Sequence, residues 1–124
     1  MRNAELKWEV VRHTTLGKLG VDNLLLTLGG EGMVLVTKDE QISRIPAMAR
    51  EVFDVSGAGD TVTAWVGTAL AAGASVREAA QVANYAAGVE VGKSGVATVA
   101  PAEVLAAHEA MYDQLGRLRR GGLL

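Results

Sequence analysis

Hydrophobic positions along this chain change period several times, and each change marks an element. From Asn3 to about Leu19 the apolar residues Leu6, Val10 and Leu16 predict an amphipathic helix with those three toward the core. Gly20 follows as a C-cap candidate. Leu24 to Leu28 is a continuous apolar run of the kind found in strands buried on both faces. It ends in Thr27-Leu28-Gly29-Gly30-Glu31-Gly32, ahead of a second run from Met33 to Thr37, so the pattern reads strand, tight turn, strand. The polar turn Lys38-Asp39-Glu40-Gln41 leads to strand-like segments at Ile42–Pro46 and Glu51–Val55. Thr61 to Ala72 is rich in Ala, Val and Leu at helical spacing. Ser75-Val76-Arg77-Glu78 has capping-box spacing for a helix that carries Asn84, and Pro101 suits the first turn of a last helix over Ala102–Arg119.

The run Asp54-Val55-Ser56-Gly57-Ala58-Gly59-Asp60-Thr61 lies between a strand-like segment and a helix. Backbone N–H groups at a helix start lack intrahelical partners, and the helix dipole adds partial positive charge. Such a turn can hold a phosphate oxygen or a developing negative charge, with Gly57 and Gly59 permitting close approach. Asp60 admits two readings from local spacing: a helix cap, or a general base that takes a proton from an attacking alcohol. A Walker A loop is excluded because no Lys-Ser or Lys-Thr follows the glycines. A dinucleotide-binding turn fits poorly, since its third glycine would fall at Val62.

The second glycine cluster is a hairpin on one reading, with Gly29, Gly30 and Gly32 tolerating positive φ. On another, Thr27, Gly29 and Gly32 place a hydroxyl and backbone amides where a nucleotide's ribose and phosphates could lie.

Three segments together carry a family resemblance: Leu25 to Met33, Glu51 to Val62, and Ala83-Asn84-Tyr85-Ala86-Ala87-Gly88-Val89-Glu90-Val91-Gly92-Lys93-Ser94-Gly95-Val96-Ala97-Thr98-Val99. In order and spacing the chain resembles the C-terminal half of carbohydrate kinases of the ribokinase (PfkB) family, from about residue 15 to about residue 105. The tail Gly92-Lys93-x-Gly95-x-x-Thr98-Val99 points to the branch that phosphorylates D-glycero-D-manno-heptose 7-phosphate on the route to ADP-heptose. The implied fold is α/β, the C-terminal part of a ribokinase-like three-layer α/β/α architecture.

Carried over residue by residue, the resemblance makes Asp60 the catalytic base and the amides of Gly57, Ala58 and Gly59 the anion hole. Thr27, Gly29 and Gly32 would border the ribose and phosphates of ATP, and Asn84 the adenine. A monovalent cation, usually potassium, would be held by Asp54 and the carbonyls of Ser56, Glu90, Lys93 and Gly95. The side chain of Lys93 is left open between neutralising phosphate and serving only as a loop residue. Trp65 departs from the small residue common at that point of the family and implies local repacking.

The family's magnesium-associated Asn-x-x-Glu motif precedes the position of Thr27 by more residues than stand ahead of it here, and Asn3-Ala4-Glu5-Leu6 does not supply it. The sugar-binding residues and lid strands also belong to the N-terminal half of the family. Residues 1–124 are therefore expected to form a single domain, the nucleotide-binding half. Its expected activity is phosphoryl transfer from Mg-ATP to a sugar or sugar-phosphate hydroxyl. The alternatives are a truncated, noncatalytic nucleotide-binding or assembly module and a kinase of another alcohol, such as a nucleoside or vitamin.

Composition refines this picture. At 124 residues the chain is long enough for one core. The 49% hydrophobic share against 4% aromatic implies tight packing of small side chains, as in helices laid on a parallel sheet. Without the N-terminal strands a sheet edge and apolar surface would be exposed, so a homo-oligomer or a covering partner chain is expected. A net charge of −2 without a long basic run argues against nucleic acid, and Arg117-Leu118-Arg119-Arg120 reads as a solvated helix end. No apolar run reaches the roughly eighteen residues of a membrane span, and no secretory signal is evident. With no cysteine, disulfides and thiolate metal sites are excluded and a cytoplasmic location is expected. His13 and His108 lack partners at metal-ligand spacing, and Trp8 and Trp65 read as packing residues.

Overall fold

The computed structural model describes residues 4–39, 41–48, 52 and 54–121. A helical segment opens the chain: α1 (Ala4–Val11), a five-residue π-helical turn (Arg12–Leu16) and α2 (Gly17–Leu19). Three strands follow, β1 (Asn23–Thr27), β2 (Met33–Thr37) and β3 (Ile42–Ile45), and then α3 (Ala58–Ala71), α4 (Val76–Glu90) and α5 (Pro101–Arg120).

The strands form one sheet in the order β1-β2-β3, and both pairings are antiparallel. Leu25 faces Leu35 across the first pair, and Met33 faces Ile45 across the second. This corrects the parallel sheet expected from composition. The connections are tight turns, and a parallel pair needs a crossover of roughly a dozen residues or more. β1 also differs from the strand expected to be buried on both faces: it is half-buried, and β2 occupies the centre. In the segment expected to be a strand at 51–55, Val52, Asp54 and Val55 have irregular backbone, while Glu51 and Phe53 lie outside the described residues.

Alternation along β2 divides the core between two layers of helix. Val34 and Val36, both fully buried, cluster with Leu16 and, at its margin, Trp8, Leu24, Leu28 and Ile42. Met33 instead joins Val62 of α3 and Ala83 of α4, with Trp65, Val66 and Ala87 packed around them. The sheet thus lies between the opening helical segment and the α3–α4 pair. Each fully buried Val or Leu side chain here is worth about 1.5–3 kcal/mol relative to exposure. Trp8 and Trp65 are packing residues, as their apolar surroundings indicate.

The opening segment departs from a uniform helix. Val10 is 63% exposed, contrary to expectation, whereas Leu16 is buried. An α-helix turns about 100° per residue, so the face of α1 that packs Trp8 into the core leaves Val10, two residues on, on the opposite side. The side chain of Leu6 lies outside the described residues. Gly20 closes the segment in the left-handed region at φ 65°, its N–H donating to the Leu16 carbonyl at 3.0 Å.

Local signals set the later helices. The Glu78 N–H donates to Ser75 Oγ at 3.1 Å and the Ser75 N–H to Glu78 Oε1 at 3.0 Å, a reciprocal capping box. Hydrogen bonding from Ser75 to the carboxylate, backbone first and then side chain, holds the Glu78 carboxyl below its ordinary pKa. Pro101 occupies the first turn of α5. His108 on α5 packs edge-on between Tyr85 and Tyr112, with ring centroids at 5.3 and 4.8 Å, which is a structural role.

Candidate functional site

Asp54 organises the turn before α3. Its carboxylate accepts the Ser56 N–H at 2.9 Å and the Gly95 N–H at 3.2 Å, while its own N–H donates to the Val91 carbonyl at 3.0 Å. Hydrogen bonding from Ser56, side chain and then backbone, holds the Asp54 carboxyl below its ordinary pKa, with Gly95 adding to the effect and burial opposing it. Three of the residues expected around a cation, Asp54, Ser56 and Gly95, are therefore joined directly. The Glu90 carbonyl accepts the Lys93 N–H at 2.9 Å.

The helix begins earlier than its composition suggested, at Ala58 instead of Thr61. Gly57 takes the cap position at φ 80°, and the Thr61 N–H donates to its carbonyl at 3.0 Å. Close quarters reinforce the need for glycine: a Cβ on residue 57 would lie 3.2 Å from Val96 Cγ1 and 3.3 Å from Glu90 Oε1. Asp60 therefore does not cap the helix. It stands exposed in the first turn, where a carboxylate is favoured by the dipole. Among the amides expected to form the anion hole, that of Ala58 already donates to the Val55 carbonyl at 3.3 Å. The Gly59 amide belongs to the first helical turn, whose N–H groups have no intrahelical acceptor.

Across from this turn lies the β1–β2 connection, a short 3-10 turn over Gly29–Glu31. Gly29 and Gly32 have φ of 58° and 93°, and the Gly32 carbonyl accepts the Leu28 N–H at 2.8 Å. Gly32 has no room for a side chain, because a Cβ there would fall 2.1 Å from the Ile45 carbonyl oxygen.

These elements enclose a cavity of about 270 Å³. Its wall includes Thr27, Gly29 and Gly32 from the β1–β2 connection, Ala58 and Gly59 from α3, and Asn84 from α4. Six of the residues singled out from sequence thus meet around one space. Asp54, Ser56, Gly57, Asp60, Glu90, Lys93 and Gly95 are not part of that wall. Asn84 is buried, and its side-chain amide donates to the Pro46 carbonyl at 2.8 Å. The apolar remainder, including Met48, Val62, Ala87, Gly88 and Val91, was not anticipated. Helical spacing from Asn84 reaches Ala87, Gly88 and Val91, so that signal was available in the sequence. Met48, on the loop after β3, had none.

Lys93 turns away from the cavity. Its ammonium donates to the Thr98 carbonyl at 2.8 Å and pairs with both Glu103 oxygens, at 2.9 and 2.8 Å. The side chain fastens the 91–100 loop to α5.

A family model for pfkB family carbohydrate kinases matches residues 7–103. The chain belongs to this family. Among curated proteins, the bifunctional protein HldE of Trichlorobacter lovleyi is 50% identical over 94 residues, which is 76% of this chain and 19% of that protein. HldE of Geobacter metallireducens is 55% identical over 82 residues, 66% of this chain and 17% of that protein. The chain therefore spans less than a fifth of the length of these relatives. Among solved structures, ribokinase from Thermotoga maritima superposes with a TM-score of 0.71 at 29% identity, covering 77% of this chain and 32% of that one. Arabidopsis thaliana ribokinase, complexed with ribose and ATP, gives 0.69 at 32% identity over 77% of this chain and 31% of that one. Phosphofructokinase-2 from Escherichia coli, at 15% identity and a TM-score of 0.72, shares the fold over 84% of this chain and 33% of that one. These relationships establish a ribokinase-like α/β fold and a carbohydrate kinase family for the chain. Among the described residues no helix is long and apolar enough to cross a membrane.

Proposed function

We propose that this chain forms the nucleotide-binding, base-bearing part of a carbohydrate kinase that transfers the γ-phosphate of Mg-ATP to a sugar or sugar-phosphate hydroxyl. The observation that carries this reading is the convergence of Thr27, Gly29, Gly32, Ala58, Gly59 and Asn84 on one cavity beside the start of α3. Apolar walls suit a base, and the helix start with its glycine turn suits phosphate. The ATP and ribose bound by the Arabidopsis relative support the same substrate classes here. In this reading Asp60 takes the proton of the acceptor hydroxyl as its oxygen attacks the γ-phosphorus and ADP departs. The Gly59 amide and the dipole of α3 stabilise the charge on the transferring group. Magnesium enters with the nucleotide, and the acceptor is of the heptose 7-phosphate type, following the Gly92–Val99 motif.

The Asp54–Ser56–Gly95 junction also supports a bound cation, which when present would stiffen the turn without itself reacting. The second reading is a nucleotide-binding or assembly module that does not itself transfer phosphate.

Calorimetric titration of the folded chain with Mg-ATP, with and without potassium, tests the proposal. Saturable binding is expected. Failure of a demonstrably folded chain to bind would remove the nucleotide-site assignment and leave the assembly reading.

A further inference from the structure

The loop that leaves α4 has no regular structure between Val91 and Ala100, and from Gly92 onward every second residue of it is exposed. Few apolar contacts hold such a segment, so its shape depends on individual polar bonds. The side chain of Lys93 supplies the bonds that close it. Its ammonium donates to the Thr98 carbonyl at 2.8 Å, which joins the two ends of the 93–98 stretch, and to the Glu103 carboxylate of α5 at 2.9 and 2.8 Å. Glu103 Oε1 also accepts the Ala100 N–H at 3.0 Å, so one carboxylate grips the loop near its start and at its end. Between those grips stands Gly95, at φ 67°, whose N–H donates to Asp54 Oδ2 at 3.2 Å. Asp54 Oδ1 accepts the Ser56 N–H at 2.9 Å, one residue before the Gly57 cap of α3. Neither Lys93 nor Glu103 lines the cavity.

From this geometry we infer that the Lys93–Glu103 pair is a remote positioning device for the turn before α3. Through it α5 sets where the Gly95 N–H stands, and Gly95, through Asp54, sets the turn that leads into the helix start. Both are positioning residues, since they act on that turn through Gly95 and Asp54. Without the ammonium the 93–98 stretch regains backbone freedom, and the Gly95 bond, at the long end of the N–H···O range, is readily lost. Asp54 then keeps its Ser56 contact and its backbone bond to Val91, neither of which involves the loop beyond Val91. The Gly57 cap is left under weaker control, and with it the first-turn amides of α3. The consequence for nucleotide affinity rests on the function proposed above, whereas the consequence for the turn does not. A Lys93 that met phosphate directly would respond with the opposite sign: Glu103→Gln would release its ammonium and tighten nucleotide binding, whereas loss of a positioning pair weakens it.

The test compares the 124-residue chain with Lys93→Met, Lys93→Arg and Glu103→Gln, with circular dichroism confirming the fold of each. Amide hydrogen exchange, followed by NMR without nucleotide, reads the turn at the N–H groups of Gly95 and Ser56, with the amides of β2 as the internal reference. In Lys93→Met and Glu103→Gln the Gly95 and Ser56 amides are expected to exchange about three to ten times faster, the range that a partly screened ion pair supplies. The β2 amides keep their rates, which a general loss of stability would not allow, and Lys93→Arg restores slow exchange at Gly95. Titration with Mg-ATP is then expected to show weaker binding in both Lys93→Met and Glu103→Gln. Wild-type exchange at Gly95 and Ser56 in folded Lys93→Met overturns the inference, as does tighter Mg-ATP binding by Glu103→Gln. If wild type binds no nucleotide, the function proposed above fails and the exchange rates still decide the positioning role. If Lys93→Met does not fold, Glu103→Gln, which keeps an acceptor for the Ala100 N–H, decides it by the same rates.

Discussion

The side-chain amide of Asn84, buried on α4, donates to the carbonyl of Pro46 at 2.8 Å, tying the helix to the loop that leaves β3. Asn84 therefore shapes the cavity by holding one wall to another, in addition to any contact with a base. Asn84→Ala should cost about 1–2 kcal/mol through loss of this bond. Asn84→Asp should cost more, since it sets a carboxylate oxygen against a carbonyl oxygen. Urea denaturation at constant m-value measures both, and a wild-type midpoint for the Asp variant would refute the role.

Gly32 and Gly29 lie in the same turn and should respond differently to alanine. Both have positive φ, but a Cβ at 32 meets the backbone of Ile45, Pro46 and Ala47 within 3 Å, whereas nothing lies within 4 Å at 29. Gly29→Ala should cost about 1 kcal/mol, and Gly32→Ala several times more, on the order of 3–5 kcal/mol. Thermal melting of the two variants distinguishes them, and equal losses would contradict the observed packing.

Asp60 is exposed and does not cap α3, so its removal should spare the fold. In an enzyme assembled with the remaining kinase segments, Asp60→Asn should lower kcat by about 10²–10⁴-fold while Mg-ATP affinity changes little. Steady-state kinetics beside calorimetry make the comparison. Turnover at the wild-type rate would dismiss Asp60 as the base.

Acid should loosen both junctions around the 91–97 loop. Glu103 is held below its ordinary pKa first by hydrogen bonding to Lys93 and then by the Ala100 N–H, and Asp54 is held down by Ser56. A carboxyl with a lowered folded-state pKa contributes stability that is full above its unfolded value and is lost as pH falls through the folded one. Stability should therefore be level near neutrality and decline below the ordinary carboxylate range. Glu103→Gln should flatten part of that decline, as melting temperatures across the acidic range will show. The pair is about one-third exposed, so its contribution is discounted for solvent screening.

β1 stands at the end of the sheet, leaving its outer edge unpaired among the described residues. Light scattering during size exclusion should show self-association that increases with concentration. A stable monomer at high concentration would mean that this edge needs no cover.

Much of this architecture is local in origin and therefore legible in the sequence. Ser75 with Glu78, Pro101 and Gly20 each specify a boundary through bonds within a few residues. What escaped the sequence depends on distant contacts. α3 can begin at Ala58 because the Asp54 carboxylate orders the preceding turn with help from Gly95. Lys93 faces α5 because Glu103 waits there. Val10 points outward because Trp8, on the opposite side of the same helix, is the residue that packs against the sheet. For the site, the glycine turns and Asn84 could be placed on one cavity from motif and helical spacing, whereas the burial of Glu90 could not. Its side chain occupies space fixed by Gly57 and Ala97, which meet it only after folding.

The bond from Gly95 to Asp54 joins positions 41 residues apart, with α3 and α4 lying between. Hairpin and helix caps can form early from neighbours in sequence, but this bond waits until both helices have docked. The 54–57 turn should accordingly be among the last parts to order during folding and among the first to open under mild denaturant. Hydrogen exchange should find its amides less protected than those of β2, so that the chemistry proposed above would reside in the most recently acquired and most easily surrendered part of the native state.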